Sequence, residues 1–558
     1  MFTTKKKIVA SLVSGIVFTL TVFYLGLPAL SVYSVGFWFF LTFVIAAFSW
    51  PFLLPSGEPA RGKKRGKVYV MGISFKNNMP SRTALILVGV CVLPVLFCGL
   101  AALFSSAPLF YAKQYASVID VQSADFAEDM PESTEVSNIA LMDTDSAIVI
   151  GNRTLGPLSD VVSQYTINPA YMQINYKGSP RKVTPLEYNG FFKWLGNNKN
   201  GIPGIVMVDP VNSDAEYVPL SEPMYYAESA YFNRDLARKL RFSYPTKIFG
   251  SVSFEINEDG KPYYVVSCMK PQVGLFGAMD VSEVILFDPH DGSSEIMTVE
   301  KTPAWVDIVY TGYLACEKYD WHGTLSGGFF NSIIGNVGCK QTTDDFGYVV
   351  LGDDVWYFTG VTSMTSGDES NIGFILSNAR TGEYKYYSVN GAEEYSAMAA
   401  AEGEVQEKGY VASFPSLINV SGEATYIMVL KDSGGLVKLY ALVNVERYSI
   451  VATGETQQDA MRAYRKRLAQ SGVGDDPTGG EEQLTVTVET REIVTLGGLP
   501  TVYVTAEDGR VFKGDLESDE ALILIRAGDV LNMTCTATAV DGIFAIVEWE
   551  FAEAAEAE

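Results

Sequence analysis

Uncharged apolar runs near the N-terminus predict three transmembrane helices, at about residues 8–30, 32–54 and 84–104. Each run is long enough for the roughly 20 residues that a helix needs to cross the hydrocarbon core. A short neutral link around Ser31 makes the first two a helical hairpin. Because no ionisable side chain lies within the runs, an ion or proton pathway has no groups to use. The pattern predicts a membrane anchor at residues 1–106.

Positive charges indicate how this anchor is oriented. They precede the first run and fill the link between the second and third, as Lys5, Lys6, Lys7, Arg61, Lys63, Lys64, Arg65, Lys67, Lys76 and Arg82. Cytoplasmic loops are enriched in Lys and Arg, so both segments are expected in the cytoplasm. Three spans then carry the rest of the chain to the other side. The alternative is that residues 1–30 are a cleaved signal peptide, but this apolar run is longer than is usual for one.

Short strand-like runs replace the long apolar ones after a predicted stem and linker at residues 107–137. They lie at Ile148 and at residues 204–208, 263–267, 284–287, 348–351, 374–376, 426–430 and 438–443. Helices are predicted between them at residues 222–240, 303–319 and 392–408. The predicted fold class is therefore an α+β region at residues 138–470.

A repeated β-hairpin is the clearest pattern within this region. Its turns begin at Asp209, Asp288 and Asn378, which are 79 and 90 residues apart, and each hairpin is followed by a predicted helix. An Asp or Asn side chain caps such a turn, and a glycine accepts the positive φ that closes it. Gly292 and Gly382 take this position in the second and third turns, whereas the first has Ser213.

The strand, turn, strand and helix unit resembles the small PepSY-type modules found outside bacterial membranes. The resemblance covers the three hairpins, within residues 205–389. It implies modules that contact proteins or modulate peptidases, without a catalytic centre.

A second domain is predicted at the C-terminus. Thr456 caps a helix at residues 457–469, and a linker at residues 471–482 is rich in Gly and Asp. Residues 483–558 read as all-β with an acidic tail, with strands at 484–488, 501–504, 530–535 and 543–547. About five short strands resemble a small closed barrel such as an OB-fold; a β-sandwich is the alternative.

Charge divides the 558 residues into two parts. Residues 1–106 carry a net charge of +9, and the remainder carries −33. A region this acidic disfavours nucleic-acid binding, and anionic lipid headgroups should repel it too.

Few residues offer catalytic or ligand-binding chemistry. The chain has two histidines: His290 is expected as an exposed turn residue, and His322, with Trp321 and Asn331 in a glycine-rich stretch, forms a candidate binding loop. No cofactor motif and no metal-ligand spacing is present, so neither is expected. Free thiols are favoured for the cysteines, with a Cys316–Cys339 disulfide as the alternative.

These observations favour a non-enzymatic interaction or scaffold protein of the cell envelope, anchored in the cell membrane, with envelope proteins as partners. Two alternatives remain open: an extracytoplasmic hydrolase of wall polymers that uses paired carboxylates, and an envelope sensor or regulator.

Overall fold

A computed structural model of the chain describes residues 4–53, 82–133, 139–343, 345–364, 370–471, 481–496, 499–516, 519–537 and 543–552. The basic loop predicted to lie in the cytoplasm, except Arg82, lies outside these residues. So do most of the predicted linker at 471–482 and the acidic tail from residue 553.

The three predicted spans are confirmed as long apolar helices. They are α1 (Thr4–Gly26), α2 (Val35–Leu53) and α3 (Arg82–Ser106). Their apolar windows have mean hydropathies of 2.2, 1.8 and 2.7, enough in length and composition to cross a membrane. Ser14 of α1 donates a hydrogen bond of 3.1 Å to the Ala47 carbonyl of α2. Trp38 of α2 packs on Phe97 of α3 with ring centroids 4.7 Å apart. The chain is a membrane protein.

The predicted stem is present, but the linker after it differs from the prediction. The stem forms α4 (Pro108–Ala116), which is followed by β1 (Val121–Ala124) and α5 (Phe126–Asp129). Phe126 and Met130 are buried, and Asn419 donates a 2.9 Å hydrogen bond to the Met130 carbonyl. The low overall hydrophobicity of this stretch concealed the few apolar residues that fix it.

Sheet I and its helices come next. Their bounds are α6 (Thr144–Leu155), α7 (Ser159–Val162), β2 (Tyr165–Ile167), β3 (Met172–Tyr176), β4 (Ser179–Tyr188), α8 (Phe191–Asn197), β5 (Ile202–Asp209) and β6 (Asp214–Met224). The strand order is β2-β4-β5-β6, with β3 also paired to β4. The prediction of a strand at Ile148 is wrong, because this residue lies in α6. Asp143 caps that helix, and the buried Ala147, Gly151 and Leu155 follow at helical spacing.

Sheet II follows α9 (Leu236–Ser243). Its strands are β7 (Ile248–Ile256), β8 (Pro262–Val273), β9 (Gly277–Phe287) and β10 (Ser294–Thr298), in the order β10-β9-β8-β7. The helix predicted at residues 222–240 begins much later, because β6 continues to Met224 and the N-cap is Asp235.

Sheet III follows α10 (Gly312–Leu325). Its strands are β11 (Lys340–Thr342), β12 (Gly347–Leu351), β13 (Asp354–Ser363), β14 (Ser370–Asn378), β15 (Tyr384–Tyr387) and β16 (Gly391–Ala392). The order is β1-β15-β14-β13-β11, and β1 runs parallel to β15. The helix predicted from residue 303 starts at Gly312, where the Thr311 side chain caps it.

Sheet IV is covered by two helices. The elements are α11 (Glu394–Glu404), β17 (Val411–Ala412), β18 (Ser416–Val420), β19 (Glu423–Lys431), β20 (Val437–Asn444), β21 (Val451–Gly454) and α12 (Gln457–Gln470). The order is β17-β19-β20-β21, with β18 on β19. Both predicted helices are confirmed, and Thr456 accepts a 3.1 Å hydrogen bond from the Asp459 amide as the expected cap.

Central strands of these sheets are buried on both faces, which explains their continuous apolar runs. In β14, Phe374 and Leu376 enter the core shared with sheet IV, whereas Ile375 between them enters the core beneath α10. Side chains alternate between the faces of a strand, so a run of apolar residues supplies both cores.

All three predicted hairpin turns are confirmed, and a fourth is present. Asp209, Asp288 and Asn378 each accept hydrogen bonds of 2.8–3.1 Å from backbone amides two or three residues ahead. Asp432, between β19 and β20, does the same for Gly434 at 2.9 Å. Ser213 adopts a φ of 56°, the left-handed conformation that Gly292 and Gly382 adopt at 76° and 74°. The serine therefore fills the glycine position at some cost in backbone strain.

The C-terminal domain is a five-stranded closed barrel, which removes the sandwich alternative. Its strands are β22 (Glu481–Leu496), β23 (Leu499–Ala506), β24 (Val511–Asp515), β25 (Val530–Ala537) and β26 (Ile543–Phe551). They close in the order β22-β23-β24-β26-β25, and β24 pairs with β26 in parallel.

The region after residue 106 is hydrogen-bonded to the ends of the spans at two places. Arg241 of α9 is buried, and its Nε donates a 2.9 Å bond to the Leu27 carbonyl just beyond α1. At the end of α3, the Ser106 hydroxyl accepts bonds from the amides of Leu275 and Phe276 at 3.2 and 3.0 Å. The anchor and sheet II therefore form one hydrogen-bonded junction.

Replacing Arg241 by methionine tests the first contact. The guanidinium also donates to the carbonyls of Tyr244, Pro245 and Lys247. Arg241→Met removes the donor to the carbonyls of Leu27 and Lys247, whereas those of Tyr244 and Pro245 keep donors from the amides of Lys247 and Leu30. It also removes a buried, hydrogen-bonded cation, so we expect about 2–4 kcal/mol of lost stability. Thermal unfolding of the full chain in detergent measures the change. Arg462→Met, at an exposed position on α12, should alter stability by less than about 0.5 kcal/mol, and equal losses would contradict the assignment.

Candidate functional site

A largely apolar cavity of about 120 Å³ lies where sheets I, III and IV meet. Strand β12 forms one wall through residues 348–351, and β18 forms another through residues 416–419. Met130, Pro131, Ser133, Ile139 and Ala140 close it from the chain segments on either side of residues 134–138. The remaining wall is sheet I, which contributes Gln173 and Pro180.

Two side chains with nitrogen donors lie on the sheet I side of this cavity, Gln173 in its wall and Lys182 beside Gln173. Gln173 on β3 and Lys182 on β4 are paired across the strands, so their side chains share one face. Each is only 3% exposed. The Gln173 Nε2 has no hydrogen-bond partner among the described residues. Buried polar groups are rarely left without a partner, so this amide marks a place where an acceptor is missing.

The Lys182 ammonium lacks a direct counter-ion. No carboxylate of the described chain lies within the 4.0 Å of an ion pair, and Asp143, the acid that acts on it, is ion-paired with Lys431. The ammonium lies 5.5 Å from the ring centroid of Tyr348, a residue of the cavity wall. Burial lowers the pKa of Lys182 to about 8, although the charge of Asp143 opposes this change. The cation is therefore held in a poorly solvated position.

The arrangement is suited to binding a small group. An apolar wall with donors at one side suits a small apolar group that carries a carbonyl or carboxylate oxygen. The wall itself has no carboxylate, thiol or histidine.

A buried carboxyl pair joins sheets I and II to the segment that precedes α10. Glu255 of β7 accepts hydrogen bonds from the amides of Asp307 and Ile308 at 2.7 and 3.1 Å. Asp307 in turn accepts a 2.7 Å bond from the amide of Asn175 in β3. Burial and the charge of Glu255 raise the pKa of Asp307 well above its ordinary value. Because Glu255 and Asp307 are 0% and 2% exposed, a polymer substrate cannot reach them.

A second, polar cavity of about 270 Å³ lies between α10 and β11. Its walls contain Asp320, Asp345 and Cys316. Burial raises the pKa of Asp320 to about 6, while hydrogen bonds from Thr342 oppose the change. Burial also raises the pKa of the Cys316 thiol to about 12, so this thiol is a poor nucleophile at neutral pH. The sequence analysis missed this site because its two carboxyls are 25 residues apart.

The predicted binding loop differs from its expected structure. Trp321 and His322 lie in α10, where the Trp321 ring packs on Tyr115 at 5.4 Å and His322 Nδ1 bonds to the Ala116 carbonyl at 2.8 Å. Asn331 begins a π-helical turn and bonds to the Val337 carbonyl at 2.9 Å. The two α10 residues hold the stem helix α4, and none of the three lines either cavity.

The other residues considered for chemistry, His290 and the cysteines, are described by their local contacts. His290 is half-buried in its turn, with Nδ1 2.8 Å from the Pro223 carbonyl, which ties sheet II to sheet I. All six cysteines are free thiols, as the sequence favoured, and the Cys316–Cys339 alternative is absent. Across the described residues, no group of three or more His, Cys, Asp or Glu side chains could hold a metal ion.

Comparisons with known proteins do not assign a family. No protein-family model and no curated protein matches the sequence. Among solved structures, an ancestral GH74 enzyme matches with 10% identity and a TM-score of 0.15, over 61% of this chain and 41% of that one. A Synechocystis apocarotenoid oxygenase mutant matches with 9% identity and a TM-score of 0.13, over 52% of this chain and 50% of that one. This chain spans about half or less of the length of both proteins, and such low scores say nothing about its function.

The carboxyl pair predicts a specific dependence of stability on pH. The pKa of Asp307 is raised by folding, so its contribution is fully present below about pH 4, the ordinary carboxyl range, and is lost as the pH rises toward the folded-state value. Asp307→Asn cannot ionise. Its unfolding temperature, relative to the unsubstituted chain, should therefore rise steadily from pH 4 through neutral pH. Thermal unfolding in a pH series checks this, with Asp160→Asn, at an exposed position on α7, as the control. A difference independent of pH would contradict the assignment.

Proposed function

We propose that this chain is a membrane-anchored, non-enzymatic interaction protein of the cell envelope, with its large domain outside the cytoplasm. The observation that supports this best is the cavity between sheets I, III and IV. The Gln173 Nε2 in its wall has no acceptor among the described residues, the neighbouring Lys182 ammonium has no ion-pair partner there, and the wall has no carboxylate, thiol or histidine. We infer that an apolar residue of an envelope protein enters the cavity and that an oxygen atom of the same partner accepts from these donors.

The orientation and the domain assignments belong to the same proposal. The Lys and Arg bias of the segments flanking α1 and α3 supports a cytoplasmic N-terminus. The strand order of the barrel, with β24 and β26 parallel, supports an OB-like domain. The hairpins that precede α10 and α11 support the PepSY-type interpretation, in which such units contact other proteins.

Photo-crosslinking in the native cell tests the proposed partner. Benzoylphenylalanine replaces Pro131, which is exposed and lines the cavity, or Val411, an exposed apolar residue on the edge strand β17. Pro131 should give a discrete adduct with one protein, and Val411 should not. Filling the cavity with Ala140→Leu should reduce that adduct at least about tenfold, which corresponds to about 1.4 kcal/mol of binding.

Ala545→Leu is the matched control, because Ala545 is a partly buried alanine on β26 of the C-terminal barrel, and no barrel residue lines the cavity. It should leave the adduct unchanged. Identical adducts at Pro131 and Val411, or an adduct that survives Ala140→Leu, would exclude this cavity as the binding site.

The polar cavity favours a second candidate, an extracytoplasmic hydrolase of wall polymers. Asp320, with its raised pKa, would act as the general acid, and Asp345 would act as the second carboxylate. The purified full chain is incubated with wall polymer, and released reducing ends or peptides are measured. Activity that falls at least about a hundredfold in both Asp320→Asn and Asp345→Asn supports this function; no release by the unsubstituted chain removes it.

A further inference from the structure

Two exposed apolar patches stand beside the ends of the spans. The first patch consists of Phe192, Leu195, Phe232 and Phe242, which are 83%, 54%, 56% and 54% exposed. The second patch consists of Phe330, Ile333, Ile334 and Val337, which are 68%, 60%, 80% and 79% exposed. Clustered exposed side chains of this size mark a surface that contacts another apolar phase.

Contacts place the first patch at the end of α1. The Phe242 ring lies 5.4 Å from Phe23, in the last turn of that span. The guanidinium of Arg238 lies 4.5 Å from the ring centroid of Tyr24 and also donates to the Phe232 carbonyl. Phe232 and Phe191 then join α8 to the same cluster, with ring centroids 6.4 Å apart.

The second patch is connected to the end of α3. Tyr111 of the stem donates a 3.0 Å hydrogen bond to the Phe104 carbonyl in the last turn of that span. Phe329 packs in the same apolar cluster as Tyr111, and the Phe330 ring lies 5.8 Å from Phe329. A membrane that surrounds the spans would therefore meet both patches.

The chain segments around the span ends and the two patches are positively charged, unlike the rest of the chain after residue 106. Five segments contact the span ends or the two patches: residues 107–118, 190–200, 231–247, 270–279 and 326–340. Together they contain ten Lys or Arg and one acid, Asp235. That acid caps α9 and lies 3.7 Å from Arg238. The rest of the chain after residue 106 has 21 basic and 63 acidic residues. The expectation that anionic headgroups repel the ectodomain rests on its net charge and overlooks this separation.

We propose that the ectodomain rests directly on the bilayer that its spans cross, with both apolar patches in the headgroup region and the surrounding basic residues bound to anionic phospholipid. Aromatic and aliphatic side chains enter the interface, and Lys and Arg beside them attract phosphate groups. The acidic remainder of the ectodomain is repelled by the same surface. Opposed forces of this kind fix which face of the ectodomain meets the membrane.

Site-specific fluorescence in proteoliposomes of the full chain tests the proposal. The environment-sensitive probe NBD is attached to Phe192→Cys, Ile334→Cys or the control Val411→Cys, which is 57% exposed on sheet IV. The unsubstituted chain, labelled in parallel, gives the background of the native thiols. In equimolar phosphatidylglycerol and phosphatidylcholine, a phospholipid with a nitroxide near the top of its acyl chain should quench Phe192 and Ile334 at least about threefold more than Val411.

Two further comparisons make the test decisive. The double variant Lys193→Glu with Lys199→Glu should reduce quenching of the Phe192 probe but not of the Ile334 probe. The control double variant, Lys408→Glu with Lys466→Glu, makes an equal charge change at exposed positions elsewhere. It should reduce the quenching of neither probe. Quenching at Phe192 and Ile334 no stronger than at Val411 overturns the proposal, and is the result expected if the patches bind a protein instead. Equal effects of the two double variants overturn the role of the basic residues.

Discussion

The structure depends on the hydrogen bonds that join the C-terminal ends of the first and third spans to the rest of the chain. A helix leaves its last carbonyl groups without partners inside the helix, and in a membrane protein these groups emerge where water is scarce. Arg241 donates to the carbonyl that follows the first span. At the end of the third span, Tyr115 donates to the Ser106 carbonyl, and the amides at the tip of the β8–β9 hairpin donate to the Ser106 hydroxyl. Arg241 and the hairpin belong to one continuous part of the chain, α9 with sheet II. These hydrogen bonds therefore fix the orientation of that part relative to the spans.

The four sheets pack in two pairs. Sheets I and II share one core, and sheets III and IV share another, so each pair behaves as a packed unit. The buried Glu255 and Asp307 connect sheet II to sheet I through backbone amides, with Asn175 of sheet I as the far partner. The Asn175 side chain then donates to the Asp353 carbonyl, just before β13, and so connects this unit to sheet III. Carboxyl groups in such a position stabilise one arrangement of strands by accepting specific amides, at the expense of keeping a proton at neutral pH. The candidate binding cavity lies near this junction, where three sheets meet and their side chains leave a gap.

Local patterns predicted the parts of the fold that local physics determines. The spans, the Asx-capped hairpins and the Thr456-capped helix follow from runs of a few residues, and all are present. The fourth turn at Asp432 carried the same Asp and Gly signal but was not recognised as a repeat. Ile148 was misassigned because a short apolar stretch fits a strand and a helix equally well, and only the Asp143 cap distinguishes them.

The candidate binding cavity and the basic face could not be predicted from such local sequence patterns. Gln173 and Lys182 are ordinary residues in the sequence, and their significance comes from a lack of partners that only tertiary packing creates. Trp321 and His322 attracted attention as rare residue types, but they pack the stem helix. Likewise, the net charge of −33 beyond residue 106 was correct as a sum. It concealed a basic face, because that face is assembled from five segments that are far apart in the chain.

We infer that the span ends hold the region after residue 106 against the membrane. Electron cryo-microscopy of the full chain in a lipid nanodisc tests it most directly. We predict density for α9 and for residues 326–340 at the level of the headgroups, continuous with the spans in a single class of particles. Two results would contradict this inference: a layer of solvent between the disc and the region after residue 106, or particle classes in which that region adopts many different tilt angles relative to the disc.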